Sequence, residues 1–298
     1  MLKPVGNRLT VSKADNRTVD KYTGEYKDPL MKWPLRGAAF TNEVGEALRP
    51  IIGSYATLSW APALLYIGAD VYDKYKNDQT EYSPDSRRCL KQAIFQGCAS
   101  IFLPLIAVKA GQNLFSQLAK FTGDGISLNS KEHISKIAEQ FIANGKMRAF
   151  DGKDKECVQE FLNIVHDSRD FAHKKSRFKG FFSISKFDNK EKIKEYSEKT
   201  IKDLIQMRKD LLKPTAEIKS GAWYQNYINA LNKGQTQSVA VKSVLEKFQK
   251  NKLMKGKFVK TIGGFIALGL AIKPIDHFVE NVLIDKFLGP SIDAMKKK

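Results

Sequence analysis

A chain of 298 residues with 50 Lys and Arg against 32 Asp and Glu carries a formal net charge of +18. That balance suits anionic partners, whether lipid headgroups, nucleic acid or acidic protein, and does not choose among them. Three cysteines, Cys89, Cys98 and Cys157, lack CxxC spacing, which argues against a disulfide framework or a zinc site.

Mean hydropathy is −0.37, but the average hides an uneven distribution. Apolar residues gather in three runs, and a long Lys-rich middle dilutes them. Residues 1–35 are polar and read as a flexible arm. They lack the apolar stretch of a secretory signal, and Asp15, Asp20, Glu25 and Asp28 are too many acids for a mitochondrial presequence. A helix begins near Gly37, with Thr41 or Asn42 as its cap. In Asn42-Glu43-Val44-Gly45-Glu46-Ala47-Leu48-Arg49, helical spacing puts Glu43 and Glu46 on one face with Arg49 in reach. Pro50 suits a bend or a helix start.

Ile51 to Ala69 is 19 residues without a charge, about 28 Å as a helix and close to the thickness of a hydrocarbon core. Ser54, Thr57, Ser59, Trp60 and Pro62 interrupt its apolar character, so a buried helix of a soluble bundle is the alternative. Asp70, Asp73 and Lys74, with Tyr66, Tyr72 and Tyr75, suit a membrane–water rim. The second run, Gln92 to Val108, has 17 residues, the short limit for a span. Its small residues Gly97, Ala99 and Ser100 suit close helix packing, and Pro104 predicts a kink.

From Gly123 to about Lys257 the pattern changes to Lys- and Glu-rich sequence with apolar stripes at helical spacing. One stripe is Ile134, Ile137, Ala138 and Phe141, and a second is Val158, Phe161, Leu162 and Val165. A third runs from Ile193 to Leu212, and a fourth is Val241, Val244, Leu245 and Phe248. These predict a bundle of amphipathic helices over 123–256. Asn129 and Glu132 have capping-box spacing. Within this region Lys174, Lys175, Arg177, Phe178, Lys179, Phe181 and Phe182 interleave bases with aromatics. The segment suits an anionic bilayer surface, stacking on single-stranded nucleic acid, or a loop packed on the bundle.

The last run, Thr261 to Ile272, has 12 residues, about 18 Å as a helix and too short alone. Gly263, Gly264 and Gly269 favour tight contacts. Its charged shoulder, Lys273 and Asp276, is expected to meet that of Glu43, Glu46 and Arg49. An amphipathic helix follows, ended by Gly289-Pro290.

The run Asn42-Glu-Val-Gly-Glu-Ala-Leu-Arg49 is followed by Asp70 with Asp73-Lys74, by Gln96, Ala99-Ser100 and Pro104, and by Pro274-Ile275-Asp276. In this order the pieces resemble the mitochondrial fission process protein family over about 36–115 and 256–288. Residues 116–255 stand between the matching pieces as an insertion. The resemblance implies a helical inner-membrane protein without catalysis, linked to membrane integrity and division. That membrane is mitochondrial in a eukaryote and the cytoplasmic membrane in a bacterium.

The expected fold is all-α: a three-helix membrane-embedded bundle with an inserted amphipathic helical domain. No Walker loop, GxGxxG, GxSxG or HExxH is present, and His133, His166, His173 and His277 have no metal-ligand spacing. We therefore expect no catalytic residue, metal or cofactor. The expected partners are anionic membrane lipid and a protein partner or second copy joined through the membrane helices, rather than nucleic acid. Ion or proton leak and a soluble basic binding protein are the competing functions. With three spans, the N-terminal arm and the insertion would share one side, opposite the C-terminus.

Overall fold

A computed structural model describes residues 30, 32–76, 84–149, 152–174 and 188–295, and among these no strand occurs. The chain is all-α. It divides into two compact units, the first formed by 1–112 and 260–298 and the second by 113–259.

In the second unit most of each apolar stripe lies on the inner face of a helix, while Leu212 at the end of the third is exposed. Helices α6 (Leu128–Ala143), α8 (Asp154–Lys174) and α9 (Lys190–Leu212) contribute Ile134, Phe141, Phe161, Val165, Ile201 and Leu204 to one buried core. Val244 and Leu245 complete it from α12 (Gln237–Phe278). The Phe141 and Phe161 rings meet edge to face at 5.5 Å, the arrangement their quadrupoles favour. Short helices α7 (Lys146–Ala149) and α11 (Ala222–Asn232) add Met147, Tyr227 and Ala230 to the core, and α10 (Ala216–Ser220), which buries no residue, lies between α9 and α11 in the chain. Helix α6 is capped by Ser127, whose hydroxyl accepts from Ser130 N. Asn129 is not the cap: its backbone N–H goes to Ser116 Oγ at 2.9 Å and its amide to Asn113 Oδ1 at 3.0 Å. These bonds draw 113–122 into the second unit, which begins at Asn113 rather than at residue 123.

The first unit holds α1 (Leu35–Ala38), α2 (Thr41–Ile52), a 3₁₀ turn (Gly53–Ser59) and α3 (Trp60–Lys76). It continues with α4 (Ser86–Phe95), a π-helical segment (Gln96–Phe102) and α5 (Leu103–Leu118) up to Gln112. It ends with α12 from Lys260, a second π segment (Val279–Leu288) and α13 (Gly289–Asp293). A 3₁₀ turn, Ala119–Thr122, follows α5.

Among the described residues, three helical stretches are long and apolar enough to cross a membrane: Thr41–Lys76, Ser86–Phe121 and Gln237–Asp293. The first is not straight. Gly53 has φ 61° and ψ −129°, a conformation open to glycine because it has no Cβ. The chain reverses there, and Ser59 packs so closely on Gly45 that any Cβ at 45 would overlap its hydroxyl. The uncharged run from Ile51 is therefore a hairpin turn plus α3, not one helix.

The third run is also not a separate short helix. It belongs to the 42-residue α12, since no proline falls between Gln237 and Pro274 to break it. Pro290 stands at the start of α13 and does not simply terminate the chain's last helix. Phe40 precedes α2 without a side-chain cap, while Thr41 Oγ1 donates to Ala38 O at 2.9 Å and Asn42 points elsewhere.

Candidate functional site

Prolines organise the interior of the first unit. A proline in a helix has no N–H for the carbonyl four residues earlier. Pro50 thus leaves Glu46 O open, and Gln112 Nε2 donates to it at 2.9 Å. Pro104 leaves Ser100 O open, and Asn42 Nδ2 donates to it at 2.9 Å. Each kinked helix therefore offers a carbonyl to an amide on the other. The kink expected at Pro104 takes the form of the π segment just before it.

Two carboxylates anchor the network. Glu46 accepts from Arg49 and, at 3.0 Å, from Trp60 Nε1, with Lys109 Nζ at 3.3 Å. Asp70 accepts from Gln92 and, at 2.6 Å, from Gln96. Gln96 Oε1 in turn accepts from Ser100 Oγ at 2.7 Å. A chain of hydrogen bonds therefore runs from Asp70 through Gln96 to Ser100, whose carbonyl receives Asn42. Asp73 and Lys74 are both buried, 3.8 Å apart, and Lys74 O accepts from Arg88 Nε at 3.2 Å.

The charged shoulders meet only in part. Glu43 lies within electrostatic range of Asp276, and Asp276 of Glu280. Acid faces acid there, and the basic partners Arg49 and Lys109 go to Glu46 instead. Lys273 is exposed and Pro274 lies within α12. Of the small residues expected to pack on the second run, Ala99 is buried against Val279 and Ile284 and Gly97 is not in close contact. Nothing lies within 4 Å of a Cβ built on Gly97, whereas one on Gly111 would overlap Gly263 O and Ala267 Cβ. Gly264 faces Gln112 and Val108 at 3.3 to 3.4 Å, and Gly269 is open. A spacing of small-xxx-small lets two helix backbones approach in this way. Lower down, Phe95 and Ala99 pack with Val279 and Ile284. Lys91 binds Asp293 at 2.7 Å and ties the start of α4 to the C-terminal helix.

Beside small apolar clusters, this unit buries many polar groups and exposes large apolar side chains. Asn42, Glu43, Glu46, Asp70, Asp73, Lys74, Gln92, Gln96, Gln112 and Glu280 are all buried, while Tyr55, Leu65, Phe102, Leu270 and Phe287 are 60–75 % exposed. The second unit has the ordinary arrangement, with Ile, Leu, Val and Phe inside.

Of the motif residues singled out from sequence, the fold brings Asn42, Gly45, Glu46, Arg49, Asp70 and Pro104 into this network. Gln96, a piece of the same motif, belongs to it too, as do Trp60, Gln92, Lys109 and Gln112, which were not singled out. Gln92 and Gln112 are amides inside otherwise apolar sequence, which was the available signal. The basic aromatic segment lies outside the described residues: Lys174 ends α8 without a described side chain, and 175–187 follow.

The second unit carries its own buried carboxylate. Asp188 receives Ser127 Oγ at 2.6 Å, Ser130 Oγ, and Lys120 Nζ at 2.5 Å. Burial pushes its pKa up, but the bonds from Lys120, Ser127 and Ser130 outweigh burial and hold it below the usual carboxylate range. Cys157 lies against Met147 with sulfurs 3.9 Å apart. Burial, aided by Asp154 and Glu160, raises its thiol to about 11. Among the described residues no group of three or more His, Cys, Asp or Glu is placed to hold a metal ion. Comparison with family models, curated proteins and solved structures finds no match to this chain.

Proposed function

We propose that this is a non-enzymatic integral membrane protein whose first unit is solvated by lipid and held together by its polar interior. The burial of polar groups in that unit, with large apolar side chains exposed, is the observation that supports the reading. In water, large apolar patches cost free energy and buried acids lose hydration. In hydrocarbon the preference reverses: apolar side chains face lipid, and polar groups turn inward to partners. Gln112 on Glu46 O and Asn42 on Ser100 O are what a proline-kinked helix needs where water is absent. Three stretches long and apolar enough to cross support the same reading.

The resemblance of the 42–49 motif and its companions to the mitochondrial fission process family extends the proposal to the organisation, integrity or division of an inner membrane. In this reading the basic inserted unit meets anionic lipid or a protein partner in the aqueous phase. Alkaline carbonate extraction of membranes containing the full chain tests it. Retention in the pellet is expected; release into the supernatant would leave a basic helical protein bound to surfaces.

A further inference from the structure

We infer that the chain crosses the bilayer four times, so that its N-terminal end lies on the opposite side from residues 113–259 and on the same side as the C-terminus. This rests on the membrane reading above and reverses the arrangement that three uninterrupted spans would give. The turn at Gly53 is the cause.

From Leu35 to Ile52 the chain is helical in all but two residues, and those continue the turns through hydrogen bonds from Ala39 N to Arg36 O and from Phe40 N to Gly37 O. These 18 residues rise about 27 Å at 1.5 Å each, the length of one crossing; of the charges within them, Glu43 and Glu46 are buried and Arg49 bonds Glu46. Gly53 then reverses the direction, which puts Ser59 on Gly45 and Trp60 Nε1 on Glu46. Carried back along both helices, this pairing sets Leu35–Ala38 beside residues 66–69, and α1 does pack on α3. The chain therefore reaches the Gly53 end and returns within one apolar stretch.

The other connections follow. Asp85 N donates to Tyr75 O at 3.0 Å, so α3 ends where α4 begins. Asp70 meets Gln92 and Gln96 at that end, while Glu46, near the turn, meets Lys109 and Gln112. The second stretch thus climbs from the Lys76 end to the Gly53 end. Gly111 on Gly263 shows that the chain leaves and re-enters the first unit at this upper end. The third stretch descends again, since Asp293 binds Lys91 and its carbonyl accepts from Arg87 at 3.2 Å. Arg36, Lys76 with Asp85, and Asp293 therefore share a face.

Protease protection of the full chain in oriented, sealed vesicles tests this, with one epitope tag ahead of residue 1, another after residue 298, and an antibody against 113–259. The expected result is that protease on one face removes both tags and leaves 113–259 intact, while protease on the other face does the reverse. Loss of the N-terminal tag together with 113–259, with the C-terminal tag protected, would establish three crossings and overturn the inference while leaving membrane insertion standing. Release of the chain by carbonate would overturn both, and separates failure of the membrane reading from failure of the four-pass arrangement.

Discussion

Pairs of residues, not single side chains, hold the interior of the first unit. If Gln112 serves the carbonyl that Pro50 leaves open, the two positions are coupled. Gln112→Leu should weaken the folded unit by about 1 kcal/mol, the usual size of an interhelical hydrogen bond in a membrane. In a Pro50→Ala background the same change should cost less, because the alanine backbone N–H can satisfy Glu46 O. A double-mutant cycle on unfolding in mixed micelles measures the coupling, and additive effects would contradict the arrangement. Asp188 gives a pH dependence with a definite sign. Its folded pKa is depressed, so its stabilisation is complete above its unfolded value, about 3.9, and is lost as pH falls through the folded value. The thermal midpoint of the second unit should hold from pH 7 to about 5 and then decline, and Asp188→Asn should flatten much of the decline. Cys157, raised to about 11, should resist iodoacetamide at pH 8 until the protein is unfolded, because the thiolate is the reactive form.

At the scale of elements, the second unit was legible and the first only partly so. Ile134, Phe141, Phe161 and Val165 mark helix faces by local spacing alone, and each is buried where that spacing puts it. Phe161→Ala should cost about 3–5 kcal/mol through the cavity it leaves, read as a fall in the midpoint of the second unit. The Gly53 reversal was hidden because hydropathy reads Ile51 to Ala69 as one run, whatever the backbone does inside it. Asn129 looked like a cap by spacing, but Ser127, two residues earlier, takes the role and frees Asn129 for Asn113. Glu46 illustrates a further limit. Its bond to Arg49 follows from helical spacing, but those to Trp60 and Lys109 depend on the turn and on a neighbouring helix, which local pattern does not encode. Gly53→Val should disable the hairpin, since a branched side chain at φ 61° is strained. Loss of the folded first unit on gel filtration in detergent, with the second unit's helices retained by circular dichroism, is the expected outcome.

For the whole molecule, the two units differ in what they bury, and the difference is most simply one of solvent. On the membrane reading proposed above, a unit that buries Glu46 and Asp70 and exposes Leu65 and Leu270 suits hydrocarbon surroundings, whereas one built around Phe161 and Ile201 suits water. The most direct measurement is spin-label accessibility of the full chain in liposomes, with labels at Leu65 and Leu270 in the first unit and at Lys219 in the second. Oxygen, which concentrates in hydrocarbon, should relax the labels at 65 and 270 more strongly than a water-soluble nickel complex does, with the reverse at 219. Nickel dominance at 65 and 270 would place that apolar face in water and overturn the membrane reading.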